Sequence, residues 1–206
     1  MFLIMAIIIV VILTILKISL GLTQIIENKR YMESGLETQQ FQNIKDEVIK
    51  TIETSYYQNA EITENVENFL KFVRSYLLEE AMDLNGFVVE SIHPNVSVGE
   101  DTKLNVTVIN LLGTELLSLS LTFNSTKNFS FIDDEEKVQT DFIFNTDLDA
   151  NYTLSVFYLT SYGNETNNIT IPVEIGKSKF IGLFDLRLIS PRIELRDKFT
   201  RAYTFP

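Results

Sequence analysis

The sequence predicts an α+β fold, in which a long N-terminal helix, hydrophobic and then amphipathic, precedes an antiparallel, immunoglobulin-like β-sandwich. Three observations lead to this prediction. Residues 1–26 are almost entirely apolar, residues 27–85 carry apolar side chains at helical spacing, and residues 86–206 alternate apolar and polar side chains with a period of two. Each of these ranges is therefore expected to form a separate region of the chain.

Residues 1–26 are long enough to cross a bilayer, because a spanning helix needs about 20 apolar residues. Lys17 is the only charged residue among them. The apolar side chains favour insertion by roughly 5–9 kcal/mol in total, against about 2.5–3.5 kcal/mol for a lysine at the bilayer centre. We expect a transmembrane or filament-core helix whose contacts come from Phe2, Leu3, Ile4, Ile7, Ile8, Val11, Ile12, Ile15 and Leu16.

Two other interpretations of this segment fit less well. A secretory signal peptide normally has a basic region before the apolar run and a small-residue cleavage site after it, and this sequence has neither. A buried core helix of a soluble protein would not need a segment this long and apolar. Lys29 and Arg30 follow the segment and nothing basic precedes it, which conflicts with an outward-facing C-terminal part. A short basic leader, removed ahead of Met1, would resolve that conflict.

Residues 27–85 are predicted to form a helical stalk. One apolar stripe consists of Phe41, Ile44, Val48, Ile52 and Tyr56, and a second consists of Ile62, Val66, Phe69, Val73, Leu77, Ala81 and Leu84. Gln58-Asn59 predicts a break near 58–61, with a single unbroken helix as the alternative, and Asn85-Gly86 predicts the helix end. The stripes are expected to pack against the C-terminal domain, or the first of them against copies of itself.

The C-terminal region is predicted to be a β-sandwich outside the cell. Runs such as 105–111, 117–123, 153–159 and 180–188 alternate apolar and polar residues, and polar turns separate them. The chain has no cysteine, so neither a disulfide nor a thiolate metal site is available.

N-glycosylation sequons are concentrated in this region. Ten asparagines occur from residue 95 onward and seven head an N-x-Ser/Thr triplet, whereas chance predicts roughly two. The expected glycosylation sites are Asn95, Asn105, Asn124, Asn128, Asn151, Asn164 and Asn168. The alternative is a β surface rich in Ser, Thr and Asn without sugar.

Catalytic and metal-binding patterns are weak in this sequence. His93 is the only histidine, so a catalytic triad or a histidine zinc site has no partners. The acidic run 133–136 is typical of a solvated turn, and Asp147-x-Asp149-x-Asn151 lacks the glycine and the later glutamate of a calcium loop. We predict no enzyme activity, no catalytic residue, no metal and no cofactor other than N-linked glycans. The net charge of −11 argues against nucleic acid as a partner.

The layout of the chain resembles archaeal type IV pilins and archaellins. The resemblance is carried by the apolar run from Phe2 to Leu16, its isoleucine-rich continuation to Ile26, and the sequon-rich β region behind it. Met5 stands where bacterial-type pilins have glutamate, and Lys17 is unusual within a filament core. The resemblance implies a leader that is removed, apolar helices that bundle, and β domains on the outside.

The predicted function is therefore that of a structural subunit of an extracellular, pilus-like filament. Its partner would be itself, with the membrane as a partner before assembly. The expected location is the cell surface, in membrane contact through the N-terminal helix. The alternative is a monomeric, signal-anchored surface glycoprotein, such as an adhesin or an envelope-layer component.

Overall fold

The structure, a computed structural model, describes residues 35–58 and 61–205, and within them the protein is mostly β. Helix α1 is described over residues 35–57, and helix α2 spans Ile62–Glu79. The strands that follow are β1 Asp83–His93, β2 Thr102–Leu111, β3 Leu116–Thr122, β4 Thr126–Phe129, β5 Lys137–Phe144, β6 Ala150–Thr160, β7 Gly163–Val173, β8 Ser178–Ile189 and β9 Glu194–Phe205.

These strands form two antiparallel sheets that pack face to face. The five-stranded sheet has the order β5-β2-β1-β8-β9, and the four-stranded sheet has the order β4-β3-β6-β7. Both contribute to one apolar core, which includes Phe87, Leu104 and Phe142 from the first and Leu119 and Val156 from the second. The chain crosses between the sheets after β2, β4, β5 and β7, so the fold depends on contacts that are distant in sequence.

Strands β1 and β8 are buried on both of their faces. Phe87 and Val89 of β1 belong to the core between the sheets, whereas Val88 and Glu90 lie on the opposite face and are equally buried. Helix α2 contacts β1 on that side. Near the end of β9, Tyr56 of α1 stacks on Tyr203 at 5.7 Å between ring centroids. Strands β1 and β8 therefore have largely continuous apolar sequences, because neither face of these strands meets water.

Helix α2 ends in a left-handed turn at an alanine. Ala81 has a φ of 57°, its N–H donates to the carbonyl of Leu78 at 3.2 Å, and the Met82 N–H donates to Leu77 at 3.0 Å. This is the Schellman arrangement, in which glycine usually occupies the left-handed position. Met82 and Leu77 are both buried, which supplies the apolar contact of that motif. The helix therefore ends well before Asn85-Gly86, where the sequence predicted its end.

The predicted fold class is wrong. An α+β fold with a long N-terminal helix ahead of an immunoglobulin-like sandwich is contradicted by two short helices followed by nine strands in the described residues. The physical reason is the turn at Ala81, which allows β1 to begin at Asp83 and to pair with both β2 and β8.

The predicted membrane-associated location is also contradicted. In residues 35–58 and 61–205, neither helix is long and apolar enough to cross a membrane. The segment on which that prediction depended, residues 1–26, lies outside the described residues, as do its proposed contact residues from Phe2 to Leu16.

Replacing Ala81 with glycine is expected to stabilise the protein. A left-handed φ strains an alanine by about 1–2 kcal/mol, and glycine adopts it freely at some cost in unfolded-chain entropy. We expect Ala81→Gly to raise the free energy of unfolding by about 0.5–1 kcal/mol, measured by urea denaturation. The matched control is Ala202→Gly in β9, which should lower it. A loss of stability in Ala81→Gly would contradict this account of the turn.

Candidate functional site: the outer face of the four-stranded sheet

All seven sequon asparagines are exposed. Of the other asparagines from residue 95 onward, Asn110 and Asn167 are buried. Asn110 donates from its side chain to three backbone carbonyls in the turns beside β2 and β5. Exposure thus makes the seven sequon asparagines accessible to a modifying enzyme, whereas Asn110 serves to hold turns together.

Four of the sequons lie on one sheet surface, which we call the outer face. It consists of the regularly paired positions in β3, β4, β6 and β7 that point away from the core; Leu117 lies at a bulge in β3 and is not counted. The strand neighbours of these positions, such as Leu119, Val156 and Ile169, point into the core. The positions are Ser118, Ser120, Thr122, Thr126, Asn128, Asn151, Thr153, Ser155, Phe157, Leu159, Asn164, Thr166, Asn168, Thr170 and Pro172.

The outer face carries no charged residue. The four strands contain only Lys127 and Glu165 as charged residues, and both occupy positions on the inner side of the sheet. Of the fifteen outward positions, twelve are Ser, Thr or Asn. Charged residues make up 22% of the whole chain, and a solvated sheet face ordinarily shows them. Its polarity thus comes from hydroxyl and amide groups alone.

The strand register places sequons around one aromatic ring. Phe157 of β6 pairs with Thr166 of β7, so Asn164 and Asn168 are its diagonal neighbours on the same face. On the other side Phe157 pairs with Ser120, which pairs in turn with Asn128 of β4. Asn168 already accepts a hydrogen bond from the Ser155 hydroxyl at 2.8 Å through its side-chain oxygen, which leaves the amide nitrogen for modification.

The remaining three sequons lie elsewhere. Asn95 is in the loop after β1, and Asn105 of β2 pairs with Asp141 of β5 on the five-stranded sheet. Asn124 lies in the turn between β3 and β4, where its amide donates to the carbonyl of Ile143. Its amide nitrogen, unlike that of Asn168, is therefore engaged by the backbone.

A charged cluster that the sequence analysis missed links the two sheets. Asp185 of β8 is buried and binds Arg196 of β9 through two contacts, at 2.8 and 2.6 Å. Arg196 also donates to Glu165 of β7 at 2.6 and 2.8 Å, and Lys198 lies 3.3 Å from Asp185. Burial raises the pKa of Asp185, but the hydrogen bonds and positive charges of Arg196 and Lys198 together outweigh burial and hold the pKa below its ordinary value. The signal available in the sequence was an acid within the apolar run of β8.

A further ion pair joins β8 to β9 beside this cluster. Besides Arg196 and Lys198, Arg187 pairs with Glu194 at 3.2 Å. Beside the cluster, burial and the carboxylates of Glu165 and Asp185 raise the pKa of Tyr158. The side chains of Tyr158 and Glu165 also line an open cavity of about 280 Å³ at the β6–β7 hairpin end, together with Asn85 and Arg187. The charged cluster joins β7 of one sheet to β8 and β9 of the other.

Glu90 is a buried carboxylate between the five-stranded sheet and α2. It is 1% exposed, and neither of its oxygens completes a hydrogen bond of normal geometry. Its cross-strand partner is Gly182, where any side chain would collide with the ring of Phe184 at 2.6 Å. Burial raises the pKa of Glu90 to about 7; Thr63 opposes this shift, as does Lys137. The Lys137 ammonium is engaged by Glu67 at 2.9 Å, and Glu67 also pairs with Lys71 at 3.0 Å.

The two acidic segments considered as calcium sites, 133–136 and 147–151, make ion pairs or hydrogen bonds within the protein. In the run 133–136, Asp134 pairs with Arg74 of α2 at 2.8 Å and accepts from the Gly113 N–H at 2.9 Å. Asp149 accepts from the Ile175 N–H at 2.9 Å, while Asn151 points outward. Across residues 35–58 and 61–205, no group of three or more His, Cys, Asp or Glu side chains is placed to hold a metal ion.

His93 is fully buried, and its Nδ1 lies 2.9 Å from the Pro94 carbonyl. Its ring makes an edge contact with Phe144, with 6.3 Å between ring centroids. The sequence contains no second imidazole and no thiol that could act with it.

Comparison of the chain with known protein families and with curated proteins gives no match. The resemblance to archaeal pilins and archaellins therefore stays a prediction from the layout of the sequence, and the outer face is argued from its own residues.

Replacing Glu90 with glutamine is expected to flatten the pH dependence of stability. The Glu90 pKa is about 7 in the folded protein and near its ordinary value of 4.5 when unfolded, so the folded state binds the proton more tightly. The stability from this site is therefore full below about pH 4.5 and is lost as the pH rises through 7, by roughly 3 kcal/mol in total. Urea denaturation at pH 5 and pH 8 should show a smaller loss in Glu90→Gln than in the wild type.

The control for this comparison is Glu79→Gln, at an exposed position at the end of α2. That variant should keep the wild-type pH dependence. An equal loss between pH 5 and pH 8 in Glu90→Gln and the wild type would show that Glu90 ionises normally.

Proposed function

We propose that this protein is a structural subunit of a pilus-like filament built from copies of the same chain. In this proposal the apolar N-terminal segments, residues 1–26, pack together at the centre, and the β-sandwiches lie outside with N-linked glycans on their surface. The observation that carries the proposal is the outer face, where four sequons share a sheet surface without charge.

The charge pattern supports a surface that carries sugars. Isolated soluble domains keep charged side chains on solvated sheet faces, which prevents association between exposed sheets. The outer face has no charged side chains that could prevent such association, although the chain is strongly acidic overall. Bulky hydrophilic glycans at Asn128, Asn151, Asn164 and Asn168 would supply that protection instead.

The charges of the sandwich support assembly through the N-terminal segment. Arg187, Arg196 and Lys198 all pair with carboxylates of their own domain, so they are not available as a basic surface for steering one subunit onto another. The segment 1–26 is the longest predominantly apolar stretch of the sequence and contains one charged residue, Lys17. Packing of such segments against each other would bury apolar surface that water disfavours.

Electron microscopy of the purified, glycosylated full chain tests this proposal. The wild type is expected to form filaments, and Ile9→Asp is expected to abolish them, because a buried unpaired carboxylate disfavours packing strongly. Ile9→Val is the matched control and should assemble normally. Circular dichroism should show the same β content in all three proteins.

Persistent filaments in Ile9→Asp would contradict the role of the N-terminal segment. A wild type that stays monomeric by light scattering would contradict the filament and favour a monomeric glycoprotein. In that case the sandwich would act alone.

A further inference from the structure

We infer that the sugars attached to Asn164 and Asn168 pack over the ring of Phe157, and that this contact couples the glycans to the stability of the β-sandwich. The inference rests on the proposed function for the presence of sugars. It goes beyond that function by naming the protein group that the sugars bind and the effect of that contact on the fold.

Phe157 lies on the outer face with its ring partly exposed. Its strand neighbours Val156 and Tyr158 are buried, whereas Phe157 points outward and is 36% exposed. It is the only aromatic residue among the fifteen positions of the outer face. A partly exposed aromatic side chain on a surface made mostly of hydroxyl and amide groups has apolar area that a ligand can cover.

The strand register places two sequon asparagines next to Phe157. Asn164 and Asn168 flank Thr166, the cross-strand partner of Phe157, so both lie diagonally from the ring at about 7–8 Å between backbone positions. A sugar linked to either amide nitrogen extends over that distance. Because Asn164 and Asn168 lie on opposite sides of Thr166 along β7, sugars on them approach the ring from both directions.

A sugar ring and an aromatic ring attract each other when they stack. One face of a pyranose ring presents C–H groups with a small positive charge, and the face of a phenyl ring carries the negative end of its quadrupole. Covering the ring also removes apolar surface from water. A covalently attached sugar has a high effective concentration at the ring, so a weak contact is populated without a separate binding event.

The surroundings of the ring favour a sugar over another protein surface. Hydroxyl and amide groups at Ser120, Ser155 and Thr166 lie beside Phe157 and can donate to or accept from sugar hydroxyls. Any protein partner approaching the ring would have to pass the sugars on the flanking asparagines. Docking of a second copy through this face is therefore the competing outcome of the test.

The test measures whether the stabilisation of the fold by the sugars depends on the Phe157 ring. The melting temperature of the glycosylated full chain is measured before and after enzymatic removal of the sugars, in the wild type and in Phe157→Ser. Removal is expected to lower the melting temperature of the wild type by about 2–4 °C, and that of Phe157→Ser by less than half as much. The double variant Asn164→Gln with Asn168→Gln should reproduce the loss without enzyme treatment.

The matched control is Phe72→Ser, since Phe72 is 69% exposed on α2, which carries no sequon. Its loss on sugar removal should equal that of the wild type. An equal loss in Phe157→Ser would overturn the inference, as would dissociation of copies by Phe157→Ser whether or not sugars are present. Intact mass shows whether sugars are attached and so separates the two proposals. If sugars are present and their effect on the melting temperature does not depend on Phe157, this inference alone is overturned. If no sequon carries sugar, the glycoprotein function is overturned as well.

Discussion

The structure depends on the burial of one sheet from both sides. The central strands β1 and β8 of the five-stranded sheet pack on the four-stranded sheet through Phe87, Val89 and Leu183, and their opposite faces are buried as well. Helix α2 lies against β1 through its stripe of buried residues, including Val66 and Leu70. A sheet buried on both faces needs apolar side chains at consecutive positions, and it leaves few places where charge can be accommodated without a partner.

The charges that do occur in these central strands show the consequence of that constraint. Asp185 is buried in β8, and its partners Arg196 and Lys198 come from the neighbouring edge strand β9. Glu90 has no comparable partner and responds by a raised pKa, about 7, because burial disfavours its ionised form. The same physical rule thus produces an ion-pair cluster on one side of the sheet and a carboxyl group that is readily protonated on the other.

The four-stranded sheet is under a different constraint, since most positions of its outer face are exposed to solvent. It reads as a regular alternation, and its outward positions carry Ser, Thr and Asn in place of charge. Phe157 is the exception on that face, and its neighbours across β7 are the sequons at Asn164 and Asn168. Register and composition together place two exposed sequons beside the one aromatic ring of this face.

Alternation with a period of two located the strands well, because one-sided burial produces that signal directly. The runs 105–111 and 153–159 lie in β2 and β6, and the sequon asparagines within strands are exposed, as their polar positions in the pattern predict. The run 180–188 lies in β8, although that strand is buried on both faces. Residues 83–85 were misjudged as helix because Leu84 continues the helical spacing of the second apolar stripe, and because β1 from Gly86 onward is buried on both faces.

The end of α2 at Ala81 had no glycine to indicate it. The partners of Asp185 and Glu90 were beyond prediction because they depend on which strands become neighbours. A single sequence does not specify that pairing when contacts are so distant along the chain.

The most direct test of the central claim is site-by-site peptide mass spectrometry of the chain purified from a host that makes Asn-linked glycans. The account predicts sugar on Asn128, Asn151, Asn164 and Asn168, the four sequons of the uncharged outer face. Unmodified peptides at all four positions, with the protein folded and soluble, would contradict it.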